Sequence, residues 1–412
     1  MGLGGAGAAH AEARRCQPGD GSALEKAARE PAPLEVLRGP GFGLLRDAEG
    51  TAEIACAPAS IAQTVLLDRI GRASGELGVD PELVVLVSTS PVSCSAMYYL
   101  PIANDIQGIG YAHTEGQEIF DSSPDSAIEG IAFLNDWPYW QARPEEFRGA
   151  FNHELAHRWG ARVHVQLDGI DSSELLGREQ SHWSYFLSTG GSPHEGNVWA
   201  PEGSRFVSDT PRYPWQFSTL DLYLMGVAPA ALVAPVSLLR APDVAGVDCR
   251  GASRTSASPP QGCARAELEA EPIEVAIDDI VAVEGTRVPA AVAVRSVDVL
   301  VLILESARAP LERDGCEALS ASLLTRFEDF QMATHGRVSL RNVLPSDGDA
   351  GSACAGLERP MTPAVVESAQ DAGCQMSNIS HRNQGACSAF FATLVVVLRL
   401  RRPRRRVRVH PS

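Results

Sequence analysis

His153, Glu154 and His157, in the stretch FNHELAHRWG from Phe151 to Gly160, form an HExxH motif. On a helix, positions i and i+4 lie one above the other, so the two imidazoles face the same way and can share one metal ion. Glu154 then stands beside that ion, where a carboxylate can take a proton from a polarised water. Two His ligands, a neighbouring carboxylate and an open coordination position are the parts of a hydrolytic Zn2+ site. With 10 His in 412 residues, chance gives about 0.02 such matches per chain. The motif is therefore a signal to be placed in its surroundings.

The elements around it can be read from local pattern. Pro144-Glu145-Glu146 opens a helix, with Pro in its first turn and acids near its positive end. Phe147, Ala150, Phe151 and Leu155 continue it and present HELAH. Upstream, Ile61, Val65, Ile70, Ala73 and Leu77 approximate helical spacing, closed by Gly78 as a C-cap. Leu83 to Val87 is a short β-branched run that reads as a buried strand, and Ile128 to Leu134 as another. Ile106 to Ala112 (IQGIGYA) is expected as a Gly-containing strand, its glycines permitting close approach of another backbone, for which an extended substrate is one candidate. Downstream, Ile273, Val275 and Ile277 alternate, Val297 to Leu304 reads as a buried strand, and Leu319, Leu323, Phe327 and Phe330 make a helical stripe.

A helix, several strands and then an HExxH helix resemble the upper subdomain of zincin metallopeptidases, over about Thr51 to Gly226. The resemblance implies an α+β fold with a mixed sheet packed on the active-site helix and a smaller C-terminal subdomain. It also implies one zinc ion, Glu154 as general base and hydrolysis of peptide bonds in a peptide or protein substrate. Zincin subtypes differ in the third ligand. One group has HExxHxxGxxH; Gly160 fits, but Val163 occupies the ligand position and His164 follows it. Another takes a Glu about twenty residues on, where Glu174 and Glu179 fall. Asp168 and Asp171 read as turn residues beside Gly169. The preferred third ligand is His182, held among aromatics in QSHWSYF. The Gly-rich STGGSPHEGNVW after it resembles stretches below the metal in some secreted zincins. Met225-Gly226, in FSTLDLYLMG, fits a Met placed under the metal, although the segment also reads as an ordinary core strand or helix. Tyr185, Tyr213 and Tyr223 are candidates for donating to an oxyanion.

A formal charge of −16 and a pI of about 5.1 exclude nucleic acid as a general partner. Seven Arg lie between Arg399 and Arg408, so the rest of the chain is more acidic still. Nine Cys without a CxxC pair suit an oxidising compartment, with Cys249 and Cys263 bracketing a Gly/Ser/Pro-rich loop that a disulfide could close. Five segments are expected: a low-complexity leader region (1–50), the catalytic domain (51–230), a C-terminal subdomain (231–345), a polar linker (346–387) and a tail (388–412). The leader region lacks the apolar run of about 7–15 residues that a secretory signal needs. In the tail, AFFATLVVVL is too short to span roughly 30 Å of hydrocarbon. With Cys387 before it and the Arg cluster after it, it resembles the sorting tails of myxobacterial surface proteins (MYXO-CTERM type). That resemblance implies export to the cell surface or beyond, with transient or weak membrane association; a monomer is expected. The alternative function is a surface-attached, zinc-containing binding or adhesion protein without turnover.

Overall fold

A computed structural model of the chain describes residues 34–47, 59–89, 97–111, 127–208, 215–243, 266–306, 309–344 and 350–357. In chain order the elements are β1 (Leu34–Gly39), β2 (Phe42–Asp47), α1 (Ala59–Leu77), β3 (Leu83–Ser88), β4 (Tyr98–Pro101), β5 (Gly130–Asp136), α2 (Trp137–Gln141) and α3 (Pro144–Ala156). Then follow β6 (Val165–Leu167), β7 (Ile170–Ser172), β8 (Trp183–Ser188), β9 (Glu195–Asn197), β10 (Ala200–Glu202), β11 (Arg205–Ser208) and α4 (Thr219–Leu224). The last are β12 (Val236–Asp243), β13 (Ala266–Val275), α5 (Ile277–Glu284), β14 (Arg295–Glu305), α6 (Arg313–Ala333), β15 (Val338–Asn342) and α7 (Ala350–Ala355). The protein is a mixed α+β fold.

A seven-stranded sheet has the order β1-β2-β14-β3-β5-β4, with β15 also on β14. Its middle is parallel: β14 pairs in that sense with β2, β3 and β15, and β3 with β5. The flanking pairs β1/β2 and β4/β5 are antiparallel. Parallel strands need cover on both faces and so read as unbroken apolar runs, which is the character of LVVLVS in β3 and VDVLVLILE in β14. The two-residue period of a strand divides these runs between two cores. Leu83, Val85, Val87, Val299, Val301 and Ile303 face the layer containing α3 and α6, against Phe147, Phe151, Leu155 and Phe330. Val84, Leu86, Leu300, Leu302 and Leu304 face the other way, onto Ile70 and Ala73 of α1. Motif and sheet are thereby locked together through the apolar stripe of α3.

A second sheet, β10-β11-β13-β12-β8-β9, carries the chain that follows the motif, and β6/β7 form a separate hairpin. The boundaries expected at 50 and 230 do not divide these sheets. Leu34–Asp47, placed in the leader region, is a hairpin whose second strand pairs with β14. β14 itself, placed in a C-terminal subdomain, lies between β2 and β3, which pair with its two edges, while its two apolar faces are buried in separate cores. Residues 350–355 of the expected linker are helical, and Cys354 is joined to Cys316 of α6 by a disulfide.

Ile106–Tyr111 is not a strand; its one ladder contact is the isolated bridge from Gln107 to Val288. Its glycines do permit close approach, but of this chain's own backbone. A Cβ on Gly110 would lie 2.2 Å from the Arg162 carbonyl oxygen, and one on Gly108 2.8 Å from the Arg287 nitrogen. Both glycines also have positive φ, so side chains are disfavoured there twice over. Cys249, Cys263, Cys374, Cys387 and the tail 388–412 lie outside the described residues. Among the described residues no helix is long and apolar enough to cross a membrane.

Candidate metal centre

α3 starts with Pro144 at its first turn and Glu145 and Glu146 beside it, and runs through Ala156. Phe147, Phe151 and Leu155, spaced by four, are fully buried and fix the helix against the sheet. That leaves His153 and His157 one turn apart on another side. His157 caps the helix yet keeps right-handed helical dihedrals, so the i, i+4 relation is preserved across the helix end.

β8 begins immediately after His182, which it brings to this pair. One nitrogen from each of His153, His157 and His182 lies within 4.8 Å of the others, and all three residues are buried. His153 Nε2 is 3.2 Å from His157 Nε2 and 3.1 Å from His182 Nε2. A tetrahedral ion with metal–nitrogen bonds of about 2.0–2.1 Å separates its ligand nitrogens by about 3.3–3.4 Å, so the spacing fits such a site.

Hydrogen bonding fixes which nitrogens are free. His153 Nδ1–H donates to the Pro193 carbonyl at 2.6 Å, and His182 Nδ1–H to the Arg178 carbonyl at 3.1 Å. A carbonyl only accepts, so in each neutral ring the proton is on Nδ1 and the lone pair on Nε2. Two lone pairs thus face each other at 3.1 Å with no proton to share. That arrangement is repulsive on its own and is relieved by a cation between them. Backbone carbonyls orienting the far nitrogens are also how metal-binding imidazoles are ordinarily held.

Burial keeps these rings uncharged. It pulls His153 down to about 4, with Arg178 adding to the effect. His157 and His182 are pulled well below the usual imidazole range, first by burial and then by neighbouring imidazoles. Neutral rings are what a metal needs. Glu154 lies alongside, its Oε1 3.9 Å from His153 Nε2. Its Oε2 is buried without a partner, and burial lifts the carboxyl to about 8 against the pull of Arg178. An orphaned carboxyl oxygen beside three converging imidazole nitrogens completes a set of groups that can hold a metal ion and move a proton next to it.

The other proposed ligands are elsewhere. His164 pairs with Asp171 at 2.7 Å, and Glu174 bonds to Arg240 at the surface. Glu179 is exposed and 3.8 Å from Arg178. FSTLDLYLMG forms α4 rather than a strand, with Met225 buried at its end. Tyr213 lies outside the described residues. Tyr185 bonds to Asn197, whereas the Tyr223 hydroxyl is buried without a partner. The tyrosines that touch the motif are two not singled out from the sequence. Tyr111 donates to the His157 carbonyl at 2.9 Å, and the Tyr99 ring lies 6.3 Å from that of His157.

His194 was also passed over, within a stretch noted for its glycines and its resemblance to segments below the metal in some zincins, not for its His. Its ring centroid is 4.6 Å from that of His157, and its Nε2–H donates to the His153 carbonyl at 3.2 Å. Gly160 makes room for it: a Cβ there would meet His194 Nδ1 at 2.5 Å. The available signal was a fifth His within 42 positions of the first.

No known family, no curated protein and no solved structure matches this chain.

Proposed function

We propose that the protein is a zinc-dependent endopeptidase of the zincin kind. The observation that carries this reading is the meeting of three imidazole Nε2 atoms, two of them fixed as lone pairs by their backbone partners, with Glu154 beside them. His153, His157 and His182 would hold the ion, leaving a fourth position open. Zinc so held lowers the pKa of water and polarises a carbonyl oxygen. Glu154 is the group able to accept the proton that water gives up and to pass it to the leaving amine. A carboxyl already raised towards neutrality by burial is suited to both directions of transfer. The acidic body of the protein speaks against nucleic acid as substrate or partner. Export to the cell surface, with weak membrane association, rests on the tail 388–412, and a monomer is the simplest state.

The test is Glu154→Gln. Purified wild-type protein should carry about one zinc per chain and cleave a broad peptide library in a chelator-sensitive way. The variant should keep the zinc and lose at least about 100-fold in turnover, the lower end of what a general base supplies. One specific observation favours a second reading, a surface-attached zinc protein without turnover. Glu154 and the three His are each less than a tenth exposed, as in sites that hold metal for structure. Wild type that binds zinc but cleaves nothing in the library would decide for that reading.

A further inference from the structure

Asp221 of α4 is a buried carboxylate that neither metal binding nor proton transfer uses. It is 2% exposed, and an acid so placed needs donors around it. It has four. Trp183 Nε1–H donates to Oδ1 at 2.9 Å, while the Ser218 backbone N–H and hydroxyl donate to Oδ2 at 2.8 and 2.7 Å. Ser192 supplies the fourth from its side chain. The bond from the Ser218 backbone N–H is half of the capping box that starts α4, whose other half runs from Asp221 N–H to Ser218 Oγ at 3.2 Å, and both Ser218 bonds anchor the carboxylate to that helix. The other two leave the helix and reach the chain on either side of the metal centre.

Trp183 follows His182 directly, and its indole is fully buried. Ser192 precedes Pro193, whose carbonyl orients His153. The two segments are also tied to each other by Trp183 N–H donating to the His194 carbonyl at 2.9 Å, and the turn is braced within itself by His194 N–H donating to Ser192 Oγ at 3.0 Å. Asp221 is therefore the common acceptor for the segment that delivers the third ligand and the turn that orients the first. Local conformation does not hold this region by itself. Glu179 and Gln180, just before His182, both have positive φ, which non-glycine residues adopt only when surroundings enforce it.

We infer that Asp221 is a positioning residue for the three-histidine centre, acting through Trp183 and Ser192 to hold His182 and the Pro193 carbonyl at the distances a metal requires. This rests on the zinc reading above. Replacement by Asn keeps the shape but turns an NH2 group towards donors, and replacement by Ala removes the acceptor altogether.

The experiment compares wild type, D221N, D221A and, as a buried control remote from the centre, Asp329→Asn in α6. Each full-length protein is stripped and titrated with Zn2+ against a competing chelator, and the Co2+-substituted forms are examined by visible absorption. Folding is checked by circular dichroism. The expected result is a 10–100-fold loss of zinc affinity in D221N, the range typical of lost outer partners, with shifted Co2+ bands. D329N should show wild-type affinity and bands even if its melting temperature falls. D221N and D221A that melt earlier but bind zinc and colour Co2+ as wild type does would overturn the inference and leave the zinc reading standing. If D221A does not fold, D221N decides. Wild type that takes up no zinc would bring down both.

Discussion

The two halves of the candidate metal centre are supported in opposite ways. His153 and His157 sit on a helix whose buried face is aromatic and aliphatic, and whose end is tied by a buried cation. Arg158 donates to Glu82 at 2.9 Å and also pairs with Glu129, binding the motif to the starts of β3 and β5. His182 and the carbonyls orienting the rings belong to the stretches 177–182 and 189–194 on either side of β8, outside the strands, where hydrogen bonds between segments set positions. One half is placed by secondary structure; the other is placed by hydrogen bonds between segments. Helix geometry tolerates small losses because many contacts share the load. A turn held by a handful of bonds responds to each one.

This contrast can be tested from its strongest consequence downwards. Removing the ligand contributed by the irregular half, His182→Ala, should lower zinc affinity by orders of magnitude in a chelator competition. His164→Ala, one turn-like step past the motif, should leave it within a fewfold of wild type. Equal losses would mean that the two halves do not meet at one ion.

On the helix side, Arg158→Met should cost about 3 kcal/mol in urea unfolding, because two carboxylates lose the buried cation between them. Zinc affinity per folded molecule should change little. A large affinity loss with normal stability would reverse the roles assigned to the two halves.

Acid should weaken the metal-free protein through both halves together. Folded His153 titrates at about 4, and the other two ligands and His194 are also depressed by burial, whereas unfolded His titrates near 6.5. Below about pH 6.5 the unfolded chain thus binds protons that the folded chain refuses. Stability from these groups is full above that pH and is lost as pH falls towards 4. Melting temperatures of chelator-treated protein between pH 7.5 and 4.5 should show the fall, and one fewer buried imidazole in H182A should make it shallower. Glu154, lifted to about 8 by burial, contributes in the opposite sense over this range, so the comparison decides: equal slopes for wild type and H182A would refute a buried, neutral His182.

The smallest effect is expected at Arg178→Ala. Its Nε pairs with Glu195 at 2.5 Å, but the side chain is 37% exposed, so the stability loss should stay below about 1 kcal/mol. The carbonyl that holds His182 remains, and zinc affinity should fall no more than a fewfold. A loss as large as that of H182A would make the ion pair, not the backbone, the support of this turn.

The same contrast explains what the sequence made legible. Pro144, the acids after it and the spacing of Phe147, Phe151 and Leu155 define a helix locally, so its start and both ligands on it could be read off. The strands Leu83–Ser88 and Arg295–Glu305 were visible as apolar runs for the same reason. Which strands neighbour each other was not, since β14 joins β2 and β3 from far along the chain. His182 was reachable as the next His in an aromatic setting. His194 and Asp221 were not, because their roles consist of bonds between segments and leave no periodic trace. The glycines of IQGIGYA announced a close approach without naming the partner, which proved to be Arg162 and Arg287.

The place of β14 has a consequence for the order in which the molecule can be built. Arg46 of β2 pairs with Glu305 at the end of β14, 259 positions later. As the chain is synthesised, the HELAH helix emerges while the strand between β2 and β3 is still unmade. Until residue 305 is available, β2 and β3 present open edges and half-covered faces, the condition in which chains associate wrongly. A polypeptide ending before Arg295 would contain every candidate metal ligand and still lack the middle of the sheet that α3 packs against. The candidate metal site is thereby made contingent on the chain's later half.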